Sequence, residues 1–275
     1  MKLSTVRLGQ HRTAAARLQK KHCVLLPYPD VGALIASGED WWERAGADTG
    51  ERHRLDDISY APLIVRPGKM VAVGPNHAVR VRELGCAVPA APEFSVRDGG
   101  HVVVGAEDDI RVHAEGQDVF WGVELGVVIG RRARDVTART ALRHVAGYTV
   151  VNDIAVQDGP EGVPSAAVAT VVGPALVTTD EVPIGARGLT MNCVVDGRVR
   201  QKASTSELLF DVATVIAHVS GSVTLLPGDL ITTGTPTGTG TGHEREVPPR
   251  SRTQVTSVIR GVGELRNAVI RPSPQ

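Results

Sequence analysis

Two carboxylates stand in apolar, strand-like surroundings where an acid is costly to keep. Glu124 lies in FWGVELGVVIG (Phe120–Gly130) and Asp153 closes GYTVVND (Gly147–Asp153). Burial raises a carboxyl pKa, so such a pair persists by sharing a proton, by meeting an arginine, or by doing acid–base work. A residue two positions before Glu124 would share its face of a strand. That residue is Gly122, which offers no ligand atom. Arg80 and Arg97 are the candidate counter-ions. Arginine stays protonated at any working pH, so Arg80 is excluded as a general base. It can still clamp a carboxylate or stabilise an oxyanion. Arg80 and Glu83 also have the i, i+3 spacing of a helical surface ion pair worth a few tenths of a kcal/mol.

The elements that must position these groups are mostly strands. Short valine-rich runs recur from Gly68 onward: KMVAVG, HVVVG, VELGVVIG, GYTVVND, PALVTTD, LTMNCVVDG and the closing VTSVIRGVGELRNAVI. Each has the length and turn-residue borders of a strand. One helix is expected where Ser204 and Glu207 have capping-box spacing. After it Leu208, Leu209, Val212, Val215, Ile216 and Val219 share one helical face. Residues 1–66 are expected to form a small N-terminal α/β domain. There Cys23–Tyr28 is a strand and Asp30 caps a helical turn through Val31, Leu34 and Ile35. Trp41 and Trp42 are expected to pack at the domain junction. Residues 67–275 form the larger domain that carries the cleft. The fold class is α+β, mostly β.

Composition narrows the function classes. Thirty basic and thirty acidic side chains cancel in the 275 residues, so no nucleic-acid or polyanion partner is expected. Aromatics make up 3% of residues, so Val, Leu, Ile and Ala must build the core. Cys23, Cys86 and Cys193 are widely spaced and odd in number, which fits reduced thiols in a cytoplasmic protein. No apolar run approaches the roughly 20 residues of a membrane span, and the first residues lack the apolar stretch of a secretory signal.

Seven segments occur in an order and spacing that resemble the fumarylacetoacetate hydrolase family. They are GKMVAVGPNHAVRVRELG, PEFSVR, VELGVVIGRRARDVT, GYTVVNDIAVQD, GPALVTTDEV, VDGRVRQKASTSELLF and LLPGDLITTGTPTG. The resemblance covers roughly residues 68–270. It implies a mixed β sandwich-roll, commonly a homodimer, with a small-molecule substrate in a cleft over the sheet. It also implies a divalent cation held by an E-x-E pair and the aspartate of GYTxxND. Here the first glutamate position is Gly122, leaving Glu124 and Asp153, so the expectation is no firm metal and at most a weakly held magnesium or manganese.

Other implied groups are replaced as well. NDxSARD appears as NDIAVQD, with Ala155 at the serine and Gln157 at the arginine. The family lysine and a nearby aspartate fall at Pro164 and Ala167, and no lysine lies between Lys69 and Lys202. The P-x-F-x-x-K lysine is Arg97. The lid His and Glu become Arg80 and Glu83. His77 stands at a common tyrosine and is a candidate replacement base, with packing or solvent exposure as the alternative. Thr235 resembles the threonine that binds a substrate carboxylate or carbonyl, with plain turn chemistry as the alternative.

The expected catalytic set is therefore Asp153, Glu124, His77 and Glu83, with Arg80, Gln157, Thr235 and Arg97 binding substrate. The expected activity is decarboxylation, dehydration, isomerisation or cyclisation of a bulky enolisable carbonyl compound, such as a secondary-metabolite intermediate, without a firmly bound metal. A metal-dependent hydrolase of a 1,3-dicarbonyl C–C bond and a non-catalytic binding or partner subunit are the alternatives.

Overall fold

The computed structural model describes residues 1–9, 12–98, 102–112, 119–156, 166–238 and 252–271. The N-terminal segment folds as β1 (Lys2–Arg7), β2 (Thr13–Leu18), β3 (His22–Leu25), α1 (Val31–Ala36), α2 (Trp41–Gly46) and β4 (Arg52–Arg54). Next come β5 (Lys69–Val73), α3 (Ala78–Leu84), β6 (Phe94–Asp98), β7 (Val103–Val104), β8 (Ile110–Arg111) and β9 (Val119–Ile129). The middle of the chain holds α4 (Ala138–Ala141), β10 (Val145–Val156), β11 (Ala166–Thr178), β12 (Thr190–Val195) and β13 (Arg198–Ser204). It ends with α5 (Val212–Ser222), β14 (Leu230–Thr232), β15 (Arg252–Ile259) and β16 (Gly263–Ile270). The molecule is mostly β, as the sequence texture implies.

Two sheets carry the fold. The larger runs β4-β3-β2-β1-β11-β10-β9-β14-β5-β6, with β7 added against β11, and the smaller runs β13-β12-β15-β16-β8. The N-terminal strands join the larger sheet through the antiparallel β1–β11 pairing. One contact fixes the curvature of that sheet. Arg97 on β6 reaches Asp153 on β10 at 2.9 Å, although the two strands are four positions apart in the order. In a flat sheet four steps would span about 19 Å, beyond the reach of one side chain. The sheet therefore rolls, and β7 adds to it by pairing in parallel with β11.

Strand β9 is buried along its whole length. Its odd residues Val123, Leu125, Val127 and Ile129 enter the main core with Met191 and Cys193 of the smaller sheet and Val215, Ile216 and Val219 of α5. On the opposite face Val128 packs with Leu34, Ile35 and Trp41 of the N-terminal helices. Gly122 and Glu124 share that opposite face by the two-residue alternation. Trp41 is buried as expected and meets Trp42 edge-on at 5.4 Å, whereas Trp42, expected to pack beside it, is exposed.

Local chemistry departs from expectation at three places. The first N-terminal strand candidate stops at Leu25, two residues before Pro27. Among the described residues the HVVVG run contributes only Val103–Val104. Third, Ser204 accepts from Ser206 N–H and starts a single 3-10 turn, whereas α5 begins at Val212 with Asp211 as its cap, Oδ1 accepting from Thr214 N–H at 2.8 Å. Leu208 is extended and bridges His77, and Asn76 ties up the backbone N–H groups of the two residues after it. Leu209 N–H donates to the Asn76 carbonyl at 2.9 Å and Phe210 N–H to Asn76 Oδ1 at 2.8 Å. Asp30 does cap α1, accepting from Ala33 N–H at 2.7 Å.

Candidate active site

The rolled part of the larger sheet, β10-β9-β14-β5-β6, encloses a cavity of about 400 Å³. Each strand contributes one end of itself. β10 supplies Asp153 and Ala155, β9 supplies Phe120, Trp121, Gly122 and Glu124, and the turn after β14 supplies Gly234 and Thr235. β5 and β6 add Val73, Ser95 and Arg97, and α3 covers one side with Arg80 and Leu84. The register explains why the acids meet. Gly122 pairs with Asp153 and Glu124 with Val151, so both carboxylates project from the same face of adjacent strands.

Glu124 is buried, and its Oε2 accepts from Gly234 N–H at 2.7 Å. Gly234 turns that N–H onto the acid with φ +92, and a Cβ there would stand 2.9 Å from the Val73 carbonyl oxygen. Burial first, and then repulsion from Asp153, hold the Glu124 carboxyl above the usual carboxylate range despite the Gly234 bond. Asp153 has its charge answered. Arg97 Nη1 meets its Oδ2 at 2.9 Å, and the Thr170 hydroxyl donates to Oδ1. Of the two arginines weighed as counter-ions, Arg97 takes that place.

Arg80 pairs with Glu83 instead, within α3. The pair has the predicted spacing but is largely buried at the cavity wall, where the surface reading placed it in water. Glu83 also accepts from Gly238 N–H at 3.3 Å. Burial raises its pKa, but Arg80, Thr237 and Gly238 together outweigh that and lower it. The Trp121 indole N–H donates to the Gly238 carbonyl at 3.0 Å. The turn over the cavity is thus tied to α3 and to β9.

His77 is placed differently from the other candidates. It immediately precedes α3, is fully buried and bridges Leu208, outside the lining of the cavity. Burial pushes its pKa down to about 4, against a smaller pull from the Gly234 backbone. Its ring therefore packs behind the α3 wall. Gln157 and Pro164 lie outside the described residues. Phe120 and Trp121 line the cavity without having been singled out in the sequence, where they read as strand residues.

The cation implied by the family text does not fit this donor set. Position 122 has no side chain, both Asp153 oxygens are engaged, and one Glu124 oxygen holds a backbone N–H. Among the described residues no three His, Cys, Asp or Glu side chains are grouped to hold a metal ion. Nor is any helix among them long and apolar enough to cross a membrane.

A buried Glu124 and a partly buried Asp153 thus share one face of a rolled sheet, beside α3 and the Gly234–Thr235 turn, around a cavity of small-molecule size. Residues 69–270 match the model of the fumarylacetoacetate (FAA) hydrolase C-terminal domain, and the chain belongs to that family. It is 36% identical over 222 residues to the mitochondrial oxaloacetate tautomerase FAHD2A of Bos taurus, covering 78% of this chain and 70% of that one. Among solved structures, 2-hydroxyhepta-2,4-diene-1,7-dioate isomerase from Mycobacterium marinum is 27% identical with a TM-score of 0.76, both chains covered in full. Maleylpyruvate hydrolase from Sphingobium sp. SYK-6, solved with manganese(II) and pyruvate, is 24% identical with a TM-score of 0.79 over 99% of this chain and 100% of that one, and shares the fold. The relatives are enzymes of tautomerase, isomerase and hydrolase type.

Proposed function

We propose that this chain is an enzyme that moves a proton on a bulky enolisable carbonyl compound, isomerising it without a firmly bound metal. The observation that carries the proposal is the pairing of Glu124 and Asp153 on one face of the cavity, with Arg97 matched to Asp153. Asp153 takes the proton from the carbon beside the carbonyl. The C–H electron pair becomes the C=C bond of the enolate, and the carbonyl oxygen gains the charge. Glu124, kept neutral by its surroundings, returns a proton to that oxygen or to the far carbon. Dehydration or cyclisation of the same compound would proceed through the same enolate, whereas decarboxylation would form an enolate by losing CO2, the C–C electron pair becoming the C=C bond.

The cavity volume lies in the range that drug-sized ligands fill. Phe120, Trp121, Leu84 and Val73 make its walls largely apolar, which suits a substrate bulkier than a four-carbon keto diacid. Tautomerase and isomerase names among the relatives accord with proton transfer, and hydrolase names stand beside them. Homodimerisation belongs to the same proposal.

The test is exchange of the α-hydrogens of an acylpyruvate for deuterium, followed by proton NMR in D2O with EDTA present. Exchange well above buffer is expected, falling about a hundredfold or more in Glu124→Gln. Exchange that appears only on adding manganese would overturn the reading in favour of a metal-dependent hydrolase. No exchange in either condition would leave a binding or partner subunit.

A further inference from the structure

We infer that the end of the cavity formed by Phe120 and Ala155 is a subsite for an apolar substituent, so that the substrate is an aryl or branched-alkyl keto acid rather than a diacid. The inference rests on the proton-transfer reading above, which places the carbonyl at Glu124 and Asp153. Phe120, Gly122 and Glu124 alternate onto one face of β9, and Phe120 is 4% exposed. Ala155 of β10 pairs directly with Phe120, as Asp153 pairs with Gly122. Both Phe120 and Ala155 line the cavity. The pair therefore stands two residues beyond the Asp153 carboxylate, about 7 Å along the strand. The space over Gly122 is taken, because a Cβ there would lie 3.2 Å from Thr235 Cβ, Cγ2 and Oγ1 alike. A substituent leaving the acids therefore runs over Ala155, which presents only a methyl group, and meets the ring of Phe120.

Charge points the same way. Two arginines line the cavity, and each already has a carboxylate: Arg97 meets Asp153 and Arg80 meets Glu83. A guanidinium has five N–H donors, and Arg97 spends only Nη1 on Asp153 and Thr170. Its other N–H groups can serve one substrate carboxylate beside the acids. A second carboxylate at the Phe120 end would meet no unmatched cation among the described residues, and a buried charge without a partner is costly. Neither Phe120 nor Ala155 has a side-chain hydrogen bond to offer a polar group. An apolar substituent, by contrast, gains by leaving water there, and an aryl group gains further from the Phe120 ring.

Benzoylpyruvate, its 4-carboxy derivative and acetylpyruvate test the subsite, through Kd from isothermal titration and kcat/KM for deuterium exchange, both in EDTA. The wild type is expected to bind benzoylpyruvate at least tenfold more tightly than either of the others. Ala155→Leu fills the subsite and should cut the preference for benzoylpyruvate over acetylpyruvate at least tenfold. Phe120→Arg should reverse the order of benzoylpyruvate and its 4-carboxy derivative. Equal wild-type affinity for those two overturns the inference, since Arg80 would then leave Glu83 for the distal carboxylate. Preferences unchanged in both variants overturn it as well. Should the variants not fold, the wild-type order of the three probes decides. Selective binding without exchange overturns the proton-transfer reading and leaves the subsite standing; exchange without selectivity overturns the subsite alone.

Discussion

Gly122 shows how a single side chain changes the electrostatics of a site. With a carboxylate there, three acids would converge and a cation would be the natural counter-charge. With glycine, Asp153 is answered by Arg97 and Glu124 lives in burial that favours its neutral form. Isothermal titration with manganese reads this directly. The wild type should show no binding below millimolar concentration, and Gly122→Glu should bind at least tenfold more tightly, by an amount limited by the displaced Thr235 and by the hold of Arg97 on Asp153. Micromolar binding by the wild type would show that the cation outcompetes Arg97. Glu124, Asp153 and Arg97 were legible as candidates because they stand at positions of segments that resemble the family's E-x-E, GYTxxND and P-x-F-x-x-K text. Gln201 was not. From the smaller sheet it accepts from Val123 N–H of β9 and donates to Thr235 Oγ1, and nothing local to RVRQKAS signals those contacts.

Among the elements, α5 separates what spacing can suggest from what packing permits. Ser204 and Glu207 have the right interval for a capping box, yet Leu208 is extended, Asn76 ties up the N–H groups of the two residues after it, and the cap is Asp211. Asp211→Ala is accordingly expected to cost about 1 kcal/mol in urea unfolding, and Ser204→Ala only a few tenths. The reverse order would restore the helix start read from the spacing. The same Asn76 donates to the Thr233 carbonyl at 2.9 Å, so it joins the approach to α5 with the turn that carries Gly234 and Thr235. Strand β9 was legible as a strand from its apolar run. Its division of labour, odd residues to the core and Gly122 and Glu124 to the cavity, follows from the pleat once the register is known.

For the whole molecule, His77 links folding to acidity. Its pKa is near 6.5 in the unfolded chain and about 4 when buried, so between those values the unfolded chain binds the extra proton. Stability therefore falls as pH drops from about 6.5 towards 4 and levels off below, by roughly 3 kcal/mol in all. His77→Phe should flatten that part of the urea-midpoint profile; an unchanged slope would place the acid sensitivity elsewhere. The sequence by itself determined the family, the mostly β texture, the two acids and the absent third ligand, because strand runs, turn glycines and side-chain chemistry are local properties. Only the tertiary structure decided that Arg97 rather than Arg80 answers Asp153, that His77 lies behind the wall, and that Gln201 reaches Thr235. The first and last of these contacts join residues 56 and 34 positions apart, and His77 is bridged by the distant Leu208. Which distant groups meet is set by how far the sheet rolls and which strands pair, and no single segment carries that information.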